Sequence, residues 1–388
     1  MRLLVTYSFK SIFQKKLTSL LTVFGFALVV FVFSAVLMLS NGLEQTLVDT
    51  GSDSNVVVIR KGSQTEVQSI IYRSMANDIK AEPEIKKDEA GVPLVTGEIL
   101  VLINQPKRAD NEPSNVPVRG VSPMSIQIRP EFNLVEGRMW QPGTSEIIAG
   151  RKVADNFKGC GLGETVKFGM RDWTVVGIFE TGGGGFESEL WGDVDQLMDA
   201  FGRPVFSSLT FTLDENADFD ALKDKMESDP KLTVDVDMEK EYYRKQSTLM
   251  TTFINILGIT ISIIFFLGAI VGAMITMYAS VANRTVEIGT LRALGFRRYV
   301  VLLSFLLESI LISLIGGTLG VAVAFLLNSF EFSTTNWATF AELAFSFRMS
   351  PDIVVQAYIF AVVMGILGGF LPAVRASRLR IINALRAK

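Results

Sequence analysis

The chain has 388 residues, 49% of them hydrophobic, and a mean hydropathy of +0.35, which is high for a soluble protein of this size. It contains no histidine and one cysteine, Cys160, so the sequence excludes an intrachain disulfide, the usual zinc and transition-metal sites, and histidine-dependent nucleophilic catalysis.

The N-terminal part of the chain predicts two segments that associate with a membrane. Residues 1–16 are basic and amphipathic, so we expect a cytosolic helix that lies on the inner leaflet. Residues 17–40 are apolar and long enough to cross the hydrocarbon core, which takes about 20 residues, so they predict transmembrane helix 1. A signal peptide is the alternative, but the apolar run is too long for one and no clear cleavage site follows it.

Residues 41–249 predict an α+β domain outside the cytosol, with stalk helices at both ends. Segments such as NVVVIR, EILVLIN and DWTVVGIFE have strand character, and they alternate with short helical segments. Residues 105–117 are polar and contain proline, which favours a loop or insertion and is compatible with two lobes. This part holds 23 Lys+Arg and 35 Asp+Glu, an acidic balance that argues against binding of nucleic acid.

The rest of the chain predicts three more transmembrane helices, at residues 250–282, 299–328 and 353–374. Residues 283–298 lie between the first two of these, residues 329–352 predict a short periplasmic loop, and residues 375–388 predict a cytosolic basic tail. Residues 237–257 pass from charged to apolar without Gly or Pro, so we expect one continuous helix that leaves the outer domain and enters the membrane. The fold class is therefore a membrane protein with four transmembrane α-helices and the α+β domain inserted between the first and second.

Basic residues predict the orientation of these helices. Thirteen bases and one acid, Glu287, fall in the segment before helix 1, the segment between helices 2 and 3, and the tail. Both termini and residues 283–298 should therefore be cytoplasmic, and the large domain should lie outside the cytosol.

The segment NRTVEIGTLRALGFRR, residues 283–298, predicts a short amphipathic helix. Ile288, Leu291 and Leu294 repeat every third residue, and Gly295 occupies a position suited to a helix C-cap. Arg284 and Glu287 lie one turn apart and can pair. An ordinary positively charged loop remains the alternative from the residues alone.

This segment and the helix after it closely resemble the permease signature of the FtsX/MacB-like superfamily of ABC transporter permeases, the type VII or mechanotransmission group. The matching residues are Arg284, Glu287, Ile288, Gly289, Leu291, Arg292, Ala293, Leu294, Gly295, Phe305, Glu308, Gly316, Gly317 and Gly320. Asn283 stands where the family has an acid, and Ile382 stands where it usually has proline. Segments such as EIIAGRKVADNF and DWTVVGIFETGGGG resemble the MacB-type periplasmic core domain.

The resemblance implies that residues 283–298 form a cytosolic coupling helix that docks on a cytosolic ABC ATPase. The coupling residues that it implies are Arg284, Glu287, Ile288, Gly289, Leu291, Arg292, Ala293, Leu294 and Gly295. In such proteins ATP and Mg are bound by the ATPase, and closure of the ATPase pair moves the helices and reshapes the periplasmic domains. The resemblance also implies a dimer with a second copy or a paralogue, contact with membrane lipids, and a periplasmic adaptor with an outer-membrane channel as further partners. We expect the ATPase to be a separate chain and this chain to bind no cofactor and to be no enzyme, because GCGLGETV lacks the lysine of a phosphate-binding loop.

Three further groups of residues are candidate sites. Glu308 lies inside a transmembrane helix, where an acid is costly, so we expect a packing or hydrogen-bonding role rather than proton transfer. Gly316, Gly317 and Gly320 permit close helix approach, either within the chain or between copies. Gly182, Gly183, Gly184, Gly185 and Phe186 predict a mobile hairpin tip, or alternatively a loop that contacts an adaptor or substrate.

Several functions remain compatible with the sequence. The first is a permease for export or extraction of a substrate at the bacterial inner membrane. An FtsX-like regulator of an envelope enzyme and a Lol-like lipoprotein extractor are the alternatives. A membrane-embedded enzyme is disfavoured because the apolar segments contain no paired carboxylates and no nucleophile motif.

Overall fold

A computed structural model of the chain describes residues 16–379. The predicted amphipathic segment 1–16 lies outside this range except for its last residue, and so do residues 380–388 of the predicted basic tail. The described chain divides into two compact units. The membrane unit consists of residues 16–42, 252–330 and 346–379, and the sheet unit consists of residues 43–251 and 331–345.

The helices and strands are numbered here in chain order. The helices are α1 Lys16–Val48, α2 Arg73–Lys80, α3 Pro123–Gln127, α4 Arg151–Asn156, α5 Val194–Ala200, α6 Phe219–Ser228, α7 Glu239–Asn283, α8 Thr285–Ala293, α9 Arg298–Phe325 and α10 Pro351–Ser377. The strands are β1 Asn55–Arg60, β2 Val95–Pro106, β3 Pro113–Val121, β4 Asn133–Gly137, β5 Glu146–Gly150, β6 Thr165–Phe168, β7 Arg171–Glu180, β8 Leu190–Asp193, β9 Ser208–Thr212, β10 Val234–Met238, β11 Glu331–Thr335 and β12 Glu342–Ser346.

Four described helices, α1, α7, α9 and α10, are long and apolar enough to cross a membrane. Helix α7 is uninterrupted over 45 residues, as the absence of Gly and Pro at its start predicted. The boundary between the two units along the chain falls after residue 251, which lies within this helix. Helix α10 begins as predicted, because Ser350 Oγ accepts a hydrogen bond from the backbone N–H of Ile353 and Pro351 occupies the first turn. It continues through Pro372 to Ser377.

Small residues bring α9 and α10 close together in the membrane unit. Ser309 Oγ donates a hydrogen bond to the carbonyl oxygen of Gly365 over 2.7 Å. A Cβ atom on Gly369 would lie 2.4 Å from Cβ of Ser309, so only glycine fits at that position. Close packing and an interhelical hydrogen bond are the interactions that hold helices together where lipid removes the hydrophobic driving force.

The sheet unit is built on a ten-stranded sheet with the order β10-β1-β9-β2-β3-β8-β5-β7-β4, and β6 pairs with β7. The pairs β3–β8 and β5–β7 are parallel, and the remaining ladders are antiparallel. Buried residues on β1, β2, β5, β7 and β9 form the core of this unit with residues of α2, α5 and α6. Alternation of buried and exposed residues on β6 follows the period of two expected for a strand with one solvated face.

The expected short loop at residues 329–352 is instead a β-hairpin, β11–β12, that belongs to the sheet unit. Lys107 Nζ lies 2.9 Å from a carboxylate oxygen of Glu342, and Lys152 Nζ donates to the carbonyl oxygen of Ala344 over 3.2 Å. These contacts fasten the hairpin to the residue after β2 and to α4. The sequence gives no sign of the hairpin because its two strands are short and because Lys107 and Lys152 lie more than 150 residues away in the sequence.

The expected loop or insertion at residues 105–117 is the turn end of a long hairpin, since β2 and β3 pair from Ile99 with Gly120 to Pro106 with Pro113. Pro106 and Pro113 fit here because they stand at strand ends, where the ladder requires no further donor, whereas Pro117 lies within β3 opposite Leu102. The strand order is continuous through this hairpin, because β2 pairs with β9 on one side and with β3 on the other.

Candidate functional site

Helix α8, the centre of the predicted coupling segment, is short and sharply terminated. Gly295 has a φ of +93°, a backbone conformation that favours glycine. The Phe296 N–H donates to the Leu291 carbonyl over 3.2 Å, and the Gly295 N–H donates to the Arg292 carbonyl over 3.2 Å. This pair of bonds is a Schellman motif, which satisfies the last carbonyl groups of the helix. The predicted glycine C-cap is therefore confirmed.

Burial divides the predicted coupling residues of α8 into three groups. Ile288 and Gly289 are buried, and Ile288 packs in an apolar cluster with Met277, Val301 and Phe305. Leu291 and Arg292 are half-buried. Glu287, Ala293, Leu294 and Gly295 are exposed. The predicted apolar stripe therefore does not act as one face, since Ile288 anchors the helix in its own unit while Leu294 is 73% exposed.

Arg284 fixes the start of α8 to α9. Its Nε donates to Glu287 Oε2 over 3.0 Å, and its Nη1 donates to Glu308 Oε2 over 2.9 Å. The guanidinium also lies over the ring of Phe305, 5.2 Å from the ring centroid. Arg284 and Glu308 are both buried, so the pair is shielded from solvent. The predicted pair of Arg284 and Glu287 is confirmed, and Glu308 has the hydrogen-bonding role expected for an acid in an apolar segment.

Arg292 fixes the other side of α8 to the end of α10. Its Nη1 donates to the carbonyl oxygen of Ser377 over 2.9 Å. Ser377 is the last residue of α10, and a cation at a helix C-terminus satisfies an unpaired carbonyl and interacts favourably with the helix dipole. Helix α8 is thus fastened to α9 by Arg284 and to α10 by Arg292.

The exposed surface of α8 includes two residues that were absent from the predicted set. Val286 is 48% exposed and Phe296 is 46% exposed. With Leu294 they present apolar area next to the exposed bases Arg297 and Arg298. Such a surface fits an apolar groove with an acidic rim. A search of the sequence with the helical period of 3.6 residues, started at Leu294, would have identified Val286 as part of the same apolar surface.

The glycines of α9 face helices of the same chain. A Cβ atom on Gly316 would lie 2.7 Å from Cβ of Phe26, and one on Gly320 would lie 2.6 Å from the carbonyl oxygen of Ala27, both on α1. One on Gly317 would lie 2.9 Å from Cβ of Ala361 on α10. The structure therefore supports the first of the two alternatives for these glycines, which is close helix packing within the chain.

The predicted tip Gly182–Phe186 is not a hairpin tip. It connects β7 with β8, which are separated in the sheet by β5. Gly184, Gly185 and Phe186 are buried, and Gly182 is exposed. The Phe186 ring lies under the guanidinium groups of two arginines and is 2% exposed, so it is unavailable for the predicted contact with an adaptor or substrate. The run of glycines before it gave no signal of this burial.

Residues 16–379 contain no group of three or more His, Cys, Asp or Glu side chains arranged to hold a metal ion. Cys160 is buried, and burial raises the pKa of its thiol to about 12. The thiol therefore stays protonated and unreactive near neutral pH.

Comparison with known proteins gives two matches along the chain. Residues 19–229 match the family model described as the MacB-like periplasmic core domain, and residues 259–381 match the model described as the FtsX-like permease C-terminal. The first match covers more than half of the chain.

Two relatives and one solved structure illustrate these matches. "Macrolide export ATP-binding/permease protein MacB" of Shewanella oneidensis is 25% identical over 95% of this chain and 58% of its own length. "Uncharacterized ABC transporter permease YknZ" of Bacillus subtilis is 25% identical over 98% of both chains. The periplasmic region of MacB from Actinobacillus actinomycetemcomitans is 15% identical, with a TM-score of 0.35 over 50% of this chain and 92% of that chain. The chain spans a little over half the length of the MacB relatives that it matches.

Proposed function

The chain belongs to the MacB/FtsX family of ABC transporter permeases, and from this premise we propose that it couples ATP hydrolysis by a partner ATPase to movement of its sheet unit. The ATPase docks on the exposed surface of α8, formed by Val286, Leu294 and Phe296. ATP and Mg are bound by that ATPase.

The observation that carries this proposal is the division of α8 into an anchored side and an exposed side. Arg284, Ile288 and Arg292 fasten the helix to α9 and α10. Leu294 and Phe296 remain exposed at its end although both are large and apolar. A helix held rigidly on one side and apolar on the other suits transmission of force from a docked partner, because a rigid element passes on a displacement that a flexible linker would absorb.

The proposed orientation places α8 and both termini in the cytoplasm of a bacterium and the sheet unit in the periplasm. It is supported by the bases that flank the apolar helices. The proposed assembly contains two permease subunits, as two copies or as two paralogues. Helix α7 connects the units without a break, so it is suited to carry movement from the membrane to the sheet unit.

Export is the proposed purpose of this movement, together with a periplasmic adaptor and an outer-membrane channel. The support is similarity to relatives whose printed name is a macrolide export protein. Extraction of a substrate from the outer leaflet follows from the same movement of the sheet unit.

Site-specific photo-crosslinking in native membranes tests the docking surface. A photoreactive residue at Leu294 should crosslink an ABC ATPase, identified by its ATP-binding sequences in mass spectrometry. The same probe at Thr260, which is exposed on α7 within the apolar part of the membrane unit, is the matched control and should not. A crosslink to the ATPase at Thr260 alone would reject the coupling role of α8.

Reconstitution of the complex provides the functional arm. Charged substitutions of Leu294 and Phe296 should weaken ATPase binding by about tenfold or more, because an apolar hot spot typically contributes about 1–2 kcal/mol. Thr290→Ala, at an exposed position of the same helix, should leave binding unchanged. Unchanged ATPase stimulation in the Leu294 and Phe296 variants would contradict the proposal.

A further inference from the structure

A cluster of buried charges lies in the centre of the sheet unit. It contains four carboxylates and two guanidinium groups, each at most 7% exposed: Glu66, Glu98, Glu189, Glu239, Arg119 and Arg129. Its members come from different elements, with Glu98 on β2, Arg119 on β3, Glu189 next to β8 and Glu239 in the first turn of α7. The cluster therefore joins the middle of the sheet to the start of the longest helix.

Arg119 is surrounded by three of the carboxylates. Its Nε and Nη2 donate to the two oxygens of Glu189 over 2.7 and 2.9 Å. Its Nη1 and Nη2 donate to the two oxygens of Glu66 over 2.8 and 3.0 Å, and Nη1 also donates to Glu98 over 2.9 Å. All of its guanidinium donors are therefore used by Glu66, Glu98 and Glu189, and none is left for a fourth carboxylate.

Arg129 forms its ion pair mainly with Glu98. Its Nη1 and Nη2 donate to the two Glu98 oxygens over 2.6 and 3.0 Å. Burial would raise the pKa of Glu98, but the charges of Arg129 and Arg119 outweigh burial and hold that pKa below its ordinary value. Glu98 is thus the carboxylate that stays ionised.

Among the four carboxylates, Glu239 has the negative charge that is least balanced by nearby cations and hydrogen-bond donors. Its Oε2 accepts from the Ser52 N–H over 2.9 Å and from Asn55 Nδ2 over 3.0 Å. Its Oε1 lies 3.8 Å from Arg129 Nη2 and has no hydrogen-bond partner among the described residues, although Glu239 is 1% exposed. The start of α7 favours an anion there, but a buried carboxylate oxygen without a donor is costly.

The cluster carries two more negative than positive charges when every member is ionised. The other titratable side chains that face the cluster are the phenols of Tyr242 and Tyr243. Both phenols are neutral at neutral pH, because the ordinary pKa of tyrosine is about 10. Excess charge in a buried site is removed most readily by a shift in protonation. Burial raises the pKa of Glu189 even though Arg119 opposes the change, which agrees with an excess of negative charge.

Three members of the cluster border a cavity. A cavity of about 50 Å³ is lined by Glu66, Arg119, Glu189 and Tyr243 within the sheet unit. This volume holds at least one water molecule with several polar partners.

We propose that the cluster is a proton-binding site: it holds at least one shared proton at neutral pH and releases that proton to solvent as the pH rises. The bound proton neutralises one carboxylate and stabilises the packing of the start of α7 against β1 and β2. Because the four carboxylates are coupled, the proton belongs to the cluster as a whole, with Glu239 and Glu189 as its principal sites. This inference goes beyond the proposed function and does not depend on an ATPase.

The direction of the pH effect follows from linkage. A group whose pKa is raised in the folded protein stabilises the fold at a pH below the pKa that the group has in the unfolded chain. That stabilisation is lost as the pH rises through the pKa that the group has in the folded protein. The start of α7 should therefore be held tightly in mild acid and loosened in mild alkali. A single linked proton changes the opening equilibrium by at most about tenfold for each pH unit.

Hydrogen exchange on the full chain in lipid nanodiscs tests the proposal. After correction for the intrinsic pH dependence of exchange, amides at residues 52–66 and 239–246 should lose about tenfold or more of their protection between about pH 6 and about pH 9. Glu239→Gln supplies a neutral group of the same shape and should flatten this response. Glu241→Gln is the matched control and should respond like the original chain, because Glu241 lies on the same turn with a side chain that is 45% exposed and paired with Arg244.

Glu189→Gln is the second variant, and it retains an acceptor for Trp191 Nε1, which donates to Glu189 over 2.7 Å. Loss of the response in either cluster variant, with the response kept in Glu241→Gln, supports the proposal. Protection that does not change with pH in the original chain overturns it. A full response that persists in both cluster variants also overturns it, because the titrating group then lies elsewhere.

Discussion

Arg284, at the start of α8, donates a hydrogen bond over 2.9 Å to Glu308, in the middle third of α9, and both side chains are buried. The same guanidinium binds Glu287 on α8 itself. A residue of the proposed ATPase-docking helix is thereby tied to a residue of an apolar helix. Movement of α8 cannot occur without movement of α9 unless this pair breaks.

Replacement of one partner of this pair should be more damaging than replacement of both. Arg284→Ala leaves Glu308 buried without that cation, and we expect a loss of about 3–5 kcal/mol in stability. The double variant Arg284→Met with Glu308→Met should recover much of the loss, because apolar side chains of similar volume fill the site. Thermal unfolding of the detergent-solubilised protein measures both. A double variant as unstable as the sum of the single variants would contradict a direct interaction.

The two sides of α8 should respond differently to truncation. Ile288→Ala removes a buried side chain from the cluster formed with Met277 and Phe305, and we expect a loss of about 2–5 kcal/mol in stability. Leu294→Ala changes an exposed side chain, so stability should shift by no more than about 0.5 kcal/mol while ATPase coupling falls. Unfolding temperature and ATPase stimulation, measured on the same preparations, separate the two effects. Equal loss of stability in both variants would argue against this division of the helix.

Alanine at two glycines of α9 should impair packing against α1. A Cβ atom on Gly316 or Gly320 would approach atoms of α1 to 2.7 or 2.6 Å, so we expect each substitution to cost about 1–3 kcal/mol. Gly268→Ala on α7 is the control, because apart from its chain neighbours and its own helix backbone no described atom lies within 4 Å of the position its Cβ would take. The measurement is the unfolding temperature in detergent. A Gly268→Ala variant that loses as much stability as Gly320→Ala would show that the effect is not one of helix contact.

Cysteine labelling should give the orientation of the two units without removal of the natural cysteine. Cys160 is buried and its thiol pKa is raised to about 12, so it should react little with membrane-impermeant maleimide in intact cells. Met170→Cys, at a position 98% exposed, should be labelled from outside the inner membrane, and Thr290→Cys should be labelled only after lysis. Labelling of Thr290→Cys in intact cells would invert the proposed topology.

The β11–β12 hairpin should detach from the sheet unit in acid. Burial would raise the pKa of Glu342, but hydrogen bonds from Ser114, Ser333 and Lys107 outweigh burial and hold it below its ordinary value. A depressed pKa means that the ionised carboxylate stabilises the docked hairpin above about pH 4.3, and that this stabilisation is lost as the pH falls through the folded value.

Hydrogen exchange at residues 331–345 measures this detachment. Glu342→Gln should raise exchange near neutral pH and reduce the further increase in acid. Glu331→Gln, at an exposed position of the same hairpin, should leave both unchanged. Exchange that is the same in Glu342→Gln as in the original chain would show that Lys107 and Glu342 do not hold the hairpin.

The sequence predicts the four long helices well, because a run of about 20 apolar residues is rare outside segments that cross a membrane. It also predicts the glycine C-cap at Gly295 and the pair of Arg284 and Glu287, which are local features. It does not reveal that Ile288 is covered while Leu294 is not, since a repeat of three places both on one side and the neighbouring helices decide which is buried.

Long-range features of the sheet unit are the ones that sequence reasoning missed. Glu98 and Arg119 stand on different strands, and only the three-dimensional sheet brings them together with Arg129 and Glu239. Phe186 follows four glycines, a pattern typical of an exposed turn, yet two guanidinium groups cover its ring. Such burial depends on partners far away in the chain, which periodicity cannot identify.

The assignment of residues 331–345 to the sheet unit has a consequence for the construction of chimeras. The backbone passes from one unit to the other four times, after Gly42, Thr251, Phe330 and Phe345. A transplant of residues 43–251 alone would separate Lys107 from Glu342 and Lys152 from Ala344, and would leave the donor's hairpin behind. The interchangeable module between relatives is therefore the two segments together, and exchanges that cut the backbone at only two places should yield mismatched hybrids.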